Sequence, residues 1–247
     1  MKKIFVIILC AVLTITLVIT ACVYIPCFIT QQKTEKGDNA LTSQKILKVP
    51  ELSQYPELPT GCEAACAAMV LNYYDVNITA PAFAQSWLEY DEDFEEYEDK
   101  LYGPNPNEVF VGNPFSEYSY GCYAPAIAKA VNSHSVLCEA EVIKYKSVKQ
   151  LCSEYIDNDK PLLLWVTMGM KESKIEDFWY LEDDTYFYWL SGEHVMVLVG
   201  YNEDFYFLND PTSGSTVAYK KEIVEKRFLE LGQQAVYIDR VEKSENY

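Results

Sequence analysis

Apolar and polar positions divide the chain into three parts. Residues 4–29 are almost continuously apolar, residues 31–47 are polar without an apolar period, and the remainder shows helix-like and then strand-like patterns. An apolar run of this length can cross a bilayer, which takes about 20 residues. We therefore expect an N-terminal anchor or signal over 1–30, a polar tether over 31–47 and one folded domain over 48–247.

The first half of the domain carries helical patterns. Residues 61–74 have almost no polar face, which predicts a central, buried helix. Thr60 is the expected cap, and Glu63 lies in the first turn, where a carboxylate suits the helix dipole. Residues 102–121 are rich in Gly, Pro and Asn, which predicts an extended loop. Further helices are expected over 81–99, 123–132, 147–157 (with Ser147 as cap) and 220–231.

The end of the second expected helix, residues 89–99, is strongly acidic. Tyr90, Phe94 and Tyr97 recur there at helical spacing, so we expect them on a buried side and the carboxylates on a solvated face. A collar that selects cationic peptides is the functional alternative. A calcium site has less support, because the stretch lacks a glycine-containing calcium loop.

The second half of the domain predicts strands. The run over 161–167 is continuously apolar, and three polar residues separate 194–201 from 205–208, which predicts a hairpin. Helices followed by a mostly antiparallel sheet form an α+β plan. Strands are expected over 136–145, 161–167, 194–201, 205–208 and 235–238.

Charge and histidine content exclude some classes of partner. The formal net charge is −17, which argues against nucleic acid because phosphates need a basic patch. The chain has no CxxC pair and only two histidines among 247 residues, so we expect no metal site and no cofactor.

Cysteine number leaves the redox state open. Eight cysteines are present, and the odd number beyond the apolar segment means that at least one thiol there is unpaired. Two disulfides and one free thiol remain an alternative to free thiols throughout. The cysteines concerned are Cys62, Cys66, Cys122, Cys138 and Cys152.

Two kinds of attachment fit the N-terminal segment. Lys2 and Lys3 precede the apolar run, which favours a cytoplasmic N-terminus and a domain on the outer face. Residues 19–22 (ITAC) are similar to a bacterial lipoprotein cleavage box, which would make Cys22 the lipidated residue, although the residues after it stay apolar. An uncleaved anchor is favoured slightly over a lipid anchor, and simple secretion is third. Either anchor places the domain at the cell membrane on its extracytoplasmic face.

Cys62 is the candidate nucleophile. It follows Gly61 at the expected helix start, where the helix dipole lowers the pKa of a thiol. The glycine lets the backbone turn closely and leaves room for a substrate. From this position alone, a buried packing cysteine is an equally good interpretation.

A cysteine nucleophile needs a base, and His194 is the better of the two histidines. It opens an apolar strand, whereas His134 lies in a polar turn and is expected to be solvated. A hydrogen-bonded core histidine is the structural alternative for His194. The predicted hairpin returns Asp210 to the level of His194 as the orienting group, with Asn209 as the alternative. Asp before Pro is also a common turn opener.

Gln54 is the candidate oxyanion donor. It lies upstream of Cys62, and its side-chain N–H could act together with the Cys62 backbone N–H. A single glutamine does not indicate a catalytic role, but the order Gln, Cys, His, Asp along the chain is more informative. The separation of Cys62 and His194 along the chain falls within the range typical of papain-type enzymes.

These blocks resemble those of the C39-like cysteine peptidases, a bacterial group with a papain-like fold. The stretch SQYPELPTGCEAACAAMVLNYYDVNIT is similar to the opening motif of the family, and GEHVMVLVGYN and FLNDPTSG are similar to later blocks. The resemblance covers roughly residues 47–239. It implies a papain-like α+β fold in which a buried nucleophile helix packs on a mostly antiparallel sheet. It also implies Cys62 as nucleophile, His194 as base, Asp210 as orienter and Gln54 as oxyanion donor.

Two features depart from the family, and the first of them puts no catalytic role in doubt. Asp75 stands where the family pattern has a glycine that ends the helix. The leader-processing members are usually fused to a transporter, and this chain has no ATP-binding segment, so leader cleavage is not implied.

The expected function is that of a membrane-anchored, extracytoplasmic cysteine peptidase. It would act as a monomer on a peptide or protein substrate. The alternatives are an amidase or acyltransferase that uses the same residues on cell-wall peptides, and a non-catalytic peptide-binding module. Related wall hydrolases often orient the base with a second histidine, and His134 is poorly placed for that role. The complete Gln, Cys, His and Asp set argues against a decayed enzyme.

Overall fold

The computed structural model describes residues 44–241. The expected anchor over 1–30, with the candidate lipidation site Cys22, and most of the tether lie outside these residues. Within 44–241, no helix has the length and apolar character that a membrane span requires.

The main sheet includes the end of the stretch expected as a tether. Strand β1 (Lys45–Ile46) pairs antiparallel with residues 200–201. Gly200 permits this close approach, because a Cβ there would lie 2.1 Å from the Lys45 carbonyl oxygen. The folded domain therefore starts before residue 48, since β1 is held by backbone pairing.

Helices dominate the first half of the described residues and strands the second, so the predicted α+β class is confirmed. The helices are α1 (Cys62–Tyr73), α2 (Ala80–Ser86), α3 (Ala124–His134), α4 (Val148–Glu154) and α5 (Lys221–Glu230), with 3-10 turns at Ile156–Asn158 and Met168–Met170. After β1, the strands are β2 (Tyr90–Asp91), β3 (Glu95–Tyr97), β4 (Lys100–Tyr102), β5 (Phe110–Val111), β6 (Cys138–Lys144), β7 (Leu162–Thr167), β8 (Ile175–Tyr180), β9 (Tyr186–Leu190), β10 (Glu193–Tyr201), β11 (Phe205–Asp210), β12 (Ser215–Lys220) and β13 (Gln234–Arg240).

The largest sheet has the order β12-β11-β10-β7-β13-β6, with β1 beside β10, and all its pairings are antiparallel. Every residue of β7 is buried. Its sequence, LLLWVT, is the continuous apolar run that a strand covered on both faces requires. β10 pairs along β7 from Glu193 to Leu198, so the strand that carries His194 is fixed against the centre of the core.

Helix α1 packs against β10 and β7. Alanines occupy four of its positions and ten of its residues are buried, so the helix can lie close to the sheet. The expected cap is wrong: Gly61 occupies the N-cap position, and the Thr60 hydroxyl donates instead to the Ser116 carbonyl at 2.9 Å. The N-cap residue supplies no side-chain acceptor to the backbone N–H groups in the first turn of α1.

The end of α1 explains the departure at Asp75. This residue has φ +61°, in the left-handed region that favours glycine. The Val76 N–H donates to the Leu71 carbonyl at 2.9 Å across the turn. Asp75 thus keeps the helix-ending geometry, and its carboxylate pairs with Arg240 at 2.6 Å.

The helix expected over 81–99 ends early. α2 stops at Ser86, and the acidic stretch forms short strands, with φ +48° at Glu98 and +61° at Asp99 in the turn between β3 and β4. A strand sends successive carboxylates to opposite faces, whereas a helix would place like charges at the destabilising i, i+3 and i, i+4 spacings. Charge repulsion is therefore the physical reason that the helical prediction fails here.

The aromatic residues of this stretch do not share one buried face. Tyr97 is 64% exposed and Tyr90 is also exposed, whereas Phe94 packs edge-on against Trp179 with ring centroids 5.4 Å apart. Trp179 belongs to β8, which with β3, β4 and β9 forms a second, smaller sheet. Strands β8, β9 and β12 were not predicted. Neighbouring aromatic residues break the alternation in β8 (IEDFWY) and β9 (YFYWL), whereas β12 (STVAYK) contains few large apolar residues.

The other expected elements are present with ends shifted by a few residues. Ser147 caps α4 through a reciprocal hydrogen-bond pair with Gln150, as predicted. α5 ends before Gly232, which has φ +82°. Disulfides are absent among the described cysteines: all five thiols are free and buried. Their burial indicates that those away from the site serve as small core residues.

The central position of β7 generates a stability prediction. Leu163 is fully buried and lies between Val197 of β10 and Val236 of β13. Leu163→Ala should lower the free energy of unfolding by about 2–5 kcal/mol, because it removes core contacts and leaves a cavity. Urea denaturation measures this. Leu229→Ala is the matched control, since Leu229 is 60% exposed and should change stability by less than about 0.5 kcal/mol. Equal effects of the two substitutions would contradict the central placement of β7.

Candidate active site

His194 and Asp210 form a buried hydrogen bond. His194 is fully buried at the start of β10, and its Nε2 lies 2.9 Å from Asp210 Oδ1. The register pairs Val197 with Asn209, which places Asp210 diagonally opposite His194 across the two strands. The predicted hairpin therefore brings these two side chains together.

Asp210 is held as a carboxylate. The Thr212 N–H and hydroxyl both donate to Asp210 Oδ1, at 2.9 and 2.7 Å. Burial raises the pKa of Asp210, but the hydrogen bonds from His194 and Thr212 outweigh it and lower the pKa below its usual value. The alternative orienter, Asn209, is occupied elsewhere: its amide donates to the Val49 carbonyl at 3.2 Å and accepts from Thr216.

This hydrogen bond fixes the tautomer of the histidine. A carboxylate only accepts hydrogen bonds, so the proton between the two groups is on His194 Nε2. Nδ1 of the neutral ring then carries the free lone pair, and this buried atom has no hydrogen-bond partner. Nδ1 is therefore available to take a proton from a nucleophile.

Cys62 lies at the first position of α1, against the segment that carries His194. It is 5% exposed, and its Sγ lies within 4.8 Å of a Glu193 carboxylate oxygen. The thiol donates to Glu63 Oε2 at 3.3 Å. In this conformation the hydrogen bond of the thiol is thus made with Glu63 and not with His194.

The environment of Cys62 corrects the expectation of a lowered thiol pKa. Burial raises the pKa of the Cys62 thiol well above its usual value, and the Glu63 and Glu193 carboxyls raise it further. A backbone hydrogen bond from Val195 opposes these effects without reversing them. The helix dipole was the only effect on the thiol pKa that the sequence pattern indicated, because the Glu63–Glu193 pair forms beside the thiol only in the folded protein.

Glu63 and Glu193 form a buried carboxyl pair that the sequence analysis missed. Glu63 is fully buried at the helix start, and its Oε1 accepts a hydrogen bond from the Cys122 N–H at 2.7 Å. Burial raises the pKa of Glu63 to about 7. Burial, followed by the nearby Glu63, raises the pKa of Glu193 well above its usual value. A charged residue directly before His194 in a strongly apolar strand was the one signal in the sequence.

Gln54 is buried near the start of the site but faces its own loop. Its Nε2 donates to the Leu58 carbonyl at 3.1 Å and the Pro59 carbonyl at 2.9 Å. Its Oε1 is buried without a hydrogen-bond partner. The role of Gln54 as oxyanion donor stays a prediction, and it requires one of these N–H groups to turn towards the substrate.

The remaining features lie apart from this group. His134 is exposed at the end of α3, where its ring stacks on Trp87 with centroids 5.8 Å apart. A cleft of about 870 Å³ is lined by acidic residues, and the lining includes none of the predicted site residues. Its acidic residues are Asp91, Asp93, Glu95, Glu96, Glu108, Glu182 and Asp183.

Comparison with known proteins matches residues 46–236 to the Peptidase_C39 like family. The uncharacterized protein YvpB of Bacillus subtilis (strain 168) is 25% identical over 187 residues, which cover 75% of this chain and 71% of YvpB. A Bacillus anthracis crystal structure assigned to the C39-like peptidases superposes with a TM-score of 0.70 at 24% identity, over 82% of this chain and all of that chain. This likeness shows the fold, which is the predicted papain-like α+β arrangement.

A double-glycine-motif protease from an AMS/PCAT transporter, solved with its leader peptide, matches at a TM-score of 0.47 and 18% identity, over 80% of this chain and 95% of that one. A score at this level supports no inference about this chain. The family match spans most of the domain and contains the four candidate catalytic residues, Gln54, Cys62, His194 and Asp210. The chain therefore belongs to the Peptidase_C39 like family.

Proposed function

We propose that this protein is a cysteine peptidase that hydrolyses peptide bonds with Cys62, His194 and Asp210. One observation carries the proposal: His194 Nε2 is held by a carboxylate while Nδ1 is left without a partner. This is the arrangement that a general base requires, because one ring nitrogen is oriented and the other is free. The position of Cys62 at the start of α1, against the β10 segment that carries His194, supports its role as nucleophile.

In the proposed mechanism, Cys62 first turns from Glu63 towards His194. The thiol proton passes to Nδ1, which produces a thiolate and an imidazolium. The thiolate attacks the scissile carbonyl carbon, and the oxygen of the tetrahedral intermediate accepts from the Cys62 N–H and a redirected Gln54 N–H. The imidazolium then protonates the leaving amine as the C–N bond breaks. His194 deprotonates a water that attacks the thioester, which releases the acid and restores the thiol.

Asp210 acts through the histidine. Its carboxylate keeps the proton on Nε2 and offsets the charge of the imidazolium that forms after Nδ1 is protonated. The two hydrogen bonds from Thr212 hold the carboxylate in place. Asp210 is therefore a positioning residue rather than a group that contacts the substrate.

We further propose where the protein is located and what it acts on. The apolar segment 4–29 would attach the chain to a bacterial membrane, with the domain on the extracytoplasmic face as a monomer. A peptide or protein is the proposed substrate. A cell-wall amidase or acyltransferase would use the same chemistry, and a peptide-library digest distinguishes the two because an amidase would leave ordinary peptide bonds intact.

Replacement of Asp210 tests the proposed mechanism. Asp210→Ala should lower kcat by about 10²–10⁴-fold with a smaller effect on KM, because the histidine loses its orientation. Asp210→Asn should retain intermediate activity, since the amide oxygen still accepts from Nε2. Initial rates on a fluorogenic peptide identified from the library measure both.

The matched control is Asp204→Ala, an exposed aspartate in the turn between β10 and β11. It should leave kcat within about twofold, as expected for a surface substitution. Equal activity of Asp210→Ala and Asp204→Ala would overturn the assignment of Asp210.

The pH dependence of Cys62 alkylation gives a separate prediction. After burial, the Glu63 carboxylate is the next largest cause that raises the pKa of the Cys62 thiol, so Glu63→Gln should shift the midpoint of the alkylation profile to lower pH. Iodoacetamide labelling, located at Cys62 by mass spectrometry, measures the midpoint.

Glu203→Gln removes one exposed carboxylate and is the control for net charge. Its midpoint should coincide with that of the wild type. An unshifted or raised midpoint in Glu63→Gln would show that Glu63 does not oppose the thiolate.

A further inference from the structure

The carboxyl pair beside the nucleophile has no cationic partner among the residues that the structure describes. No lysine, arginine or histidine within residues 44–241 forms an ion pair with Glu63 or Glu193. Glu193 is 9% exposed, and its Oε1 is buried without a hydrogen-bond partner. Buried carboxylates are costly unless a proton or a cation balances their charge.

The two carboxyls and the thiol converge on one point. The ligand atoms of Cys62, Glu63 and Glu193 all lie within 4.8 Å of one another. Glu63 Oε1 accepts a hydrogen bond from the Cys122 N–H. Oε2, which accepts a hydrogen bond from the Cys62 thiol, is therefore the oxygen left for a ligand. Gly121 covers the pair, and a Cβ there would lie 2.7 Å from Glu63 Oε1.

We propose that these three residues form a binding site for Zn²⁺, with Cys62 Sγ, Glu63 Oε2 and a Glu193 oxygen as ligands. Zinc bonds of about 2.3 Å to sulfur and 2.0–2.2 Å to oxygen in a tetrahedron place ligand atoms about 3.4–3.6 Å apart. Cys62 Sγ already lies 3.3 Å from Glu63 Oε2, and all three ligand atoms lie within 4.8 Å of one another, so small side-chain rotations bring them to that spacing. Water occupies the fourth position, as is usual when the protein supplies three ligands.

The donor set selects the metal. A thiolate is a soft ligand that suits Zn²⁺, whereas Mg²⁺ and Ca²⁺ require more oxygen ligands than this cluster offers. The expectation of no metal site rested on the absence of CxxC and paired histidines, and this cluster uses carboxylates instead. His194 is not one of its three residues, so the site differs from direct bridging of the nucleophile and its base.

Metal binding would exchange protons for the ion. Zn²⁺ displaces the thiol proton and the proton retained by the carboxyl pair, and both pass to solvent. The ion then holds the Cys62 sulfur away from His194. This consequence rests on the proposed function, because a held sulfur cannot attack a carbonyl; zinc would act as a reversible inhibitor of the peptidase.

The test measures protection of Cys62 rather than catalysis. The full chain is titrated with ZnCl₂, and the rate of iodoacetamide labelling at Cys62 is followed by mass spectrometry. We expect at least a tenfold fall at saturating Zn²⁺, restored by EDTA, and a higher half-saturating concentration at lower pH because protons compete. Thermal melting is followed in parallel, and Zn²⁺ should raise the Tm.

Variants separate this site from other modes of zinc binding. Glu193→Gln should raise the half-protecting Zn²⁺ concentration by about tenfold or more, since even second-shell partners are worth about 10–100-fold in affinity. Glu203→Gln, which removes an exposed carboxylate, should not change it. His194→Ala should keep the protection, because the histidine is not a ligand.

Three outcomes of the Zn²⁺ titration would overturn the site. They are an absence of both protection and Tm shift in the wild type, unchanged protection in Glu193→Gln, and protection lost in His194→Ala, which would indicate bridging by Cys62 and His194. Equal protection by Mg²⁺ would also exclude ligation by the thiolate. None of these readouts needs turnover, so zinc binding without peptidase activity would refute the proposed function alone.

Discussion

The antiparallel pairing of β10 with β11 is the constraint on which the site depends. It joins His194 to Asp210, while the pairing of β10 with β7 fixes the other edge of the strand, and all residues of β10 except the last are buried. A slip of one residue would turn His194 to the opposite face and away from Asp210, because side chains alternate along a strand. Burial of the apolar residues of β10 and β7 stabilises the register, whereas the candidate catalytic residues His194 and Asp210 lie at the start of β10 and the end of β11.

The α1 dipole and the two carboxyls have opposite effects on the pKa of the Cys62 thiol. The start of α1 offers a positive dipole to the Cys62 sulfur, which favours a thiolate. Burial and the Glu63 and Glu193 carboxyls act in the opposite direction and dominate in this conformation. In the described conformation, Cys62 is therefore a neutral thiol that donates a hydrogen bond to Glu63. In the proposed mechanism, Cys62 must rotate towards His194 to pass from this resting arrangement to the reactive one. A proton or a metal ion bound at the carboxyl pair would control this rotation.

Much of the fold could be predicted from the sequence, because its main elements have unambiguous patterns. The apolar run of β7 and the almost unbroken apolar face of α1 each allow one interpretation. The prediction of a helix through the acidic stretch after Ser86 was wrong. It rested on the helical spacing of aromatic residues and did not consider the repulsion among the carboxylates between them. The His194–Asp210 pair was predictable because a hairpin connects residues that are close in sequence.

The rest of the site depends on contacts between distant segments. Glu63 and Glu193 are far apart in the chain and come together only when α1 packs on β10, so no local sequence pattern predicts the pair. The engagement of Gln54 with the carbonyls of Leu58 and Pro59 is likewise a property of the folded loop. Thr212 was overlooked because a threonine after Asp-Pro is ordinary in a turn, and its two hydrogen bonds to Asp210 appear only in the folded hairpin.

The central claim is that Cys62 and His194 act as one nucleophilic unit, and acylation by an activated peptide ester tests it most directly. The claim predicts a burst of about one equivalent of alcohol per chain, with the acyl mass located on Cys62 and the burst lost in His194→Ala. Acylation of another residue, or an equal burst in His194→Ala, would contradict it.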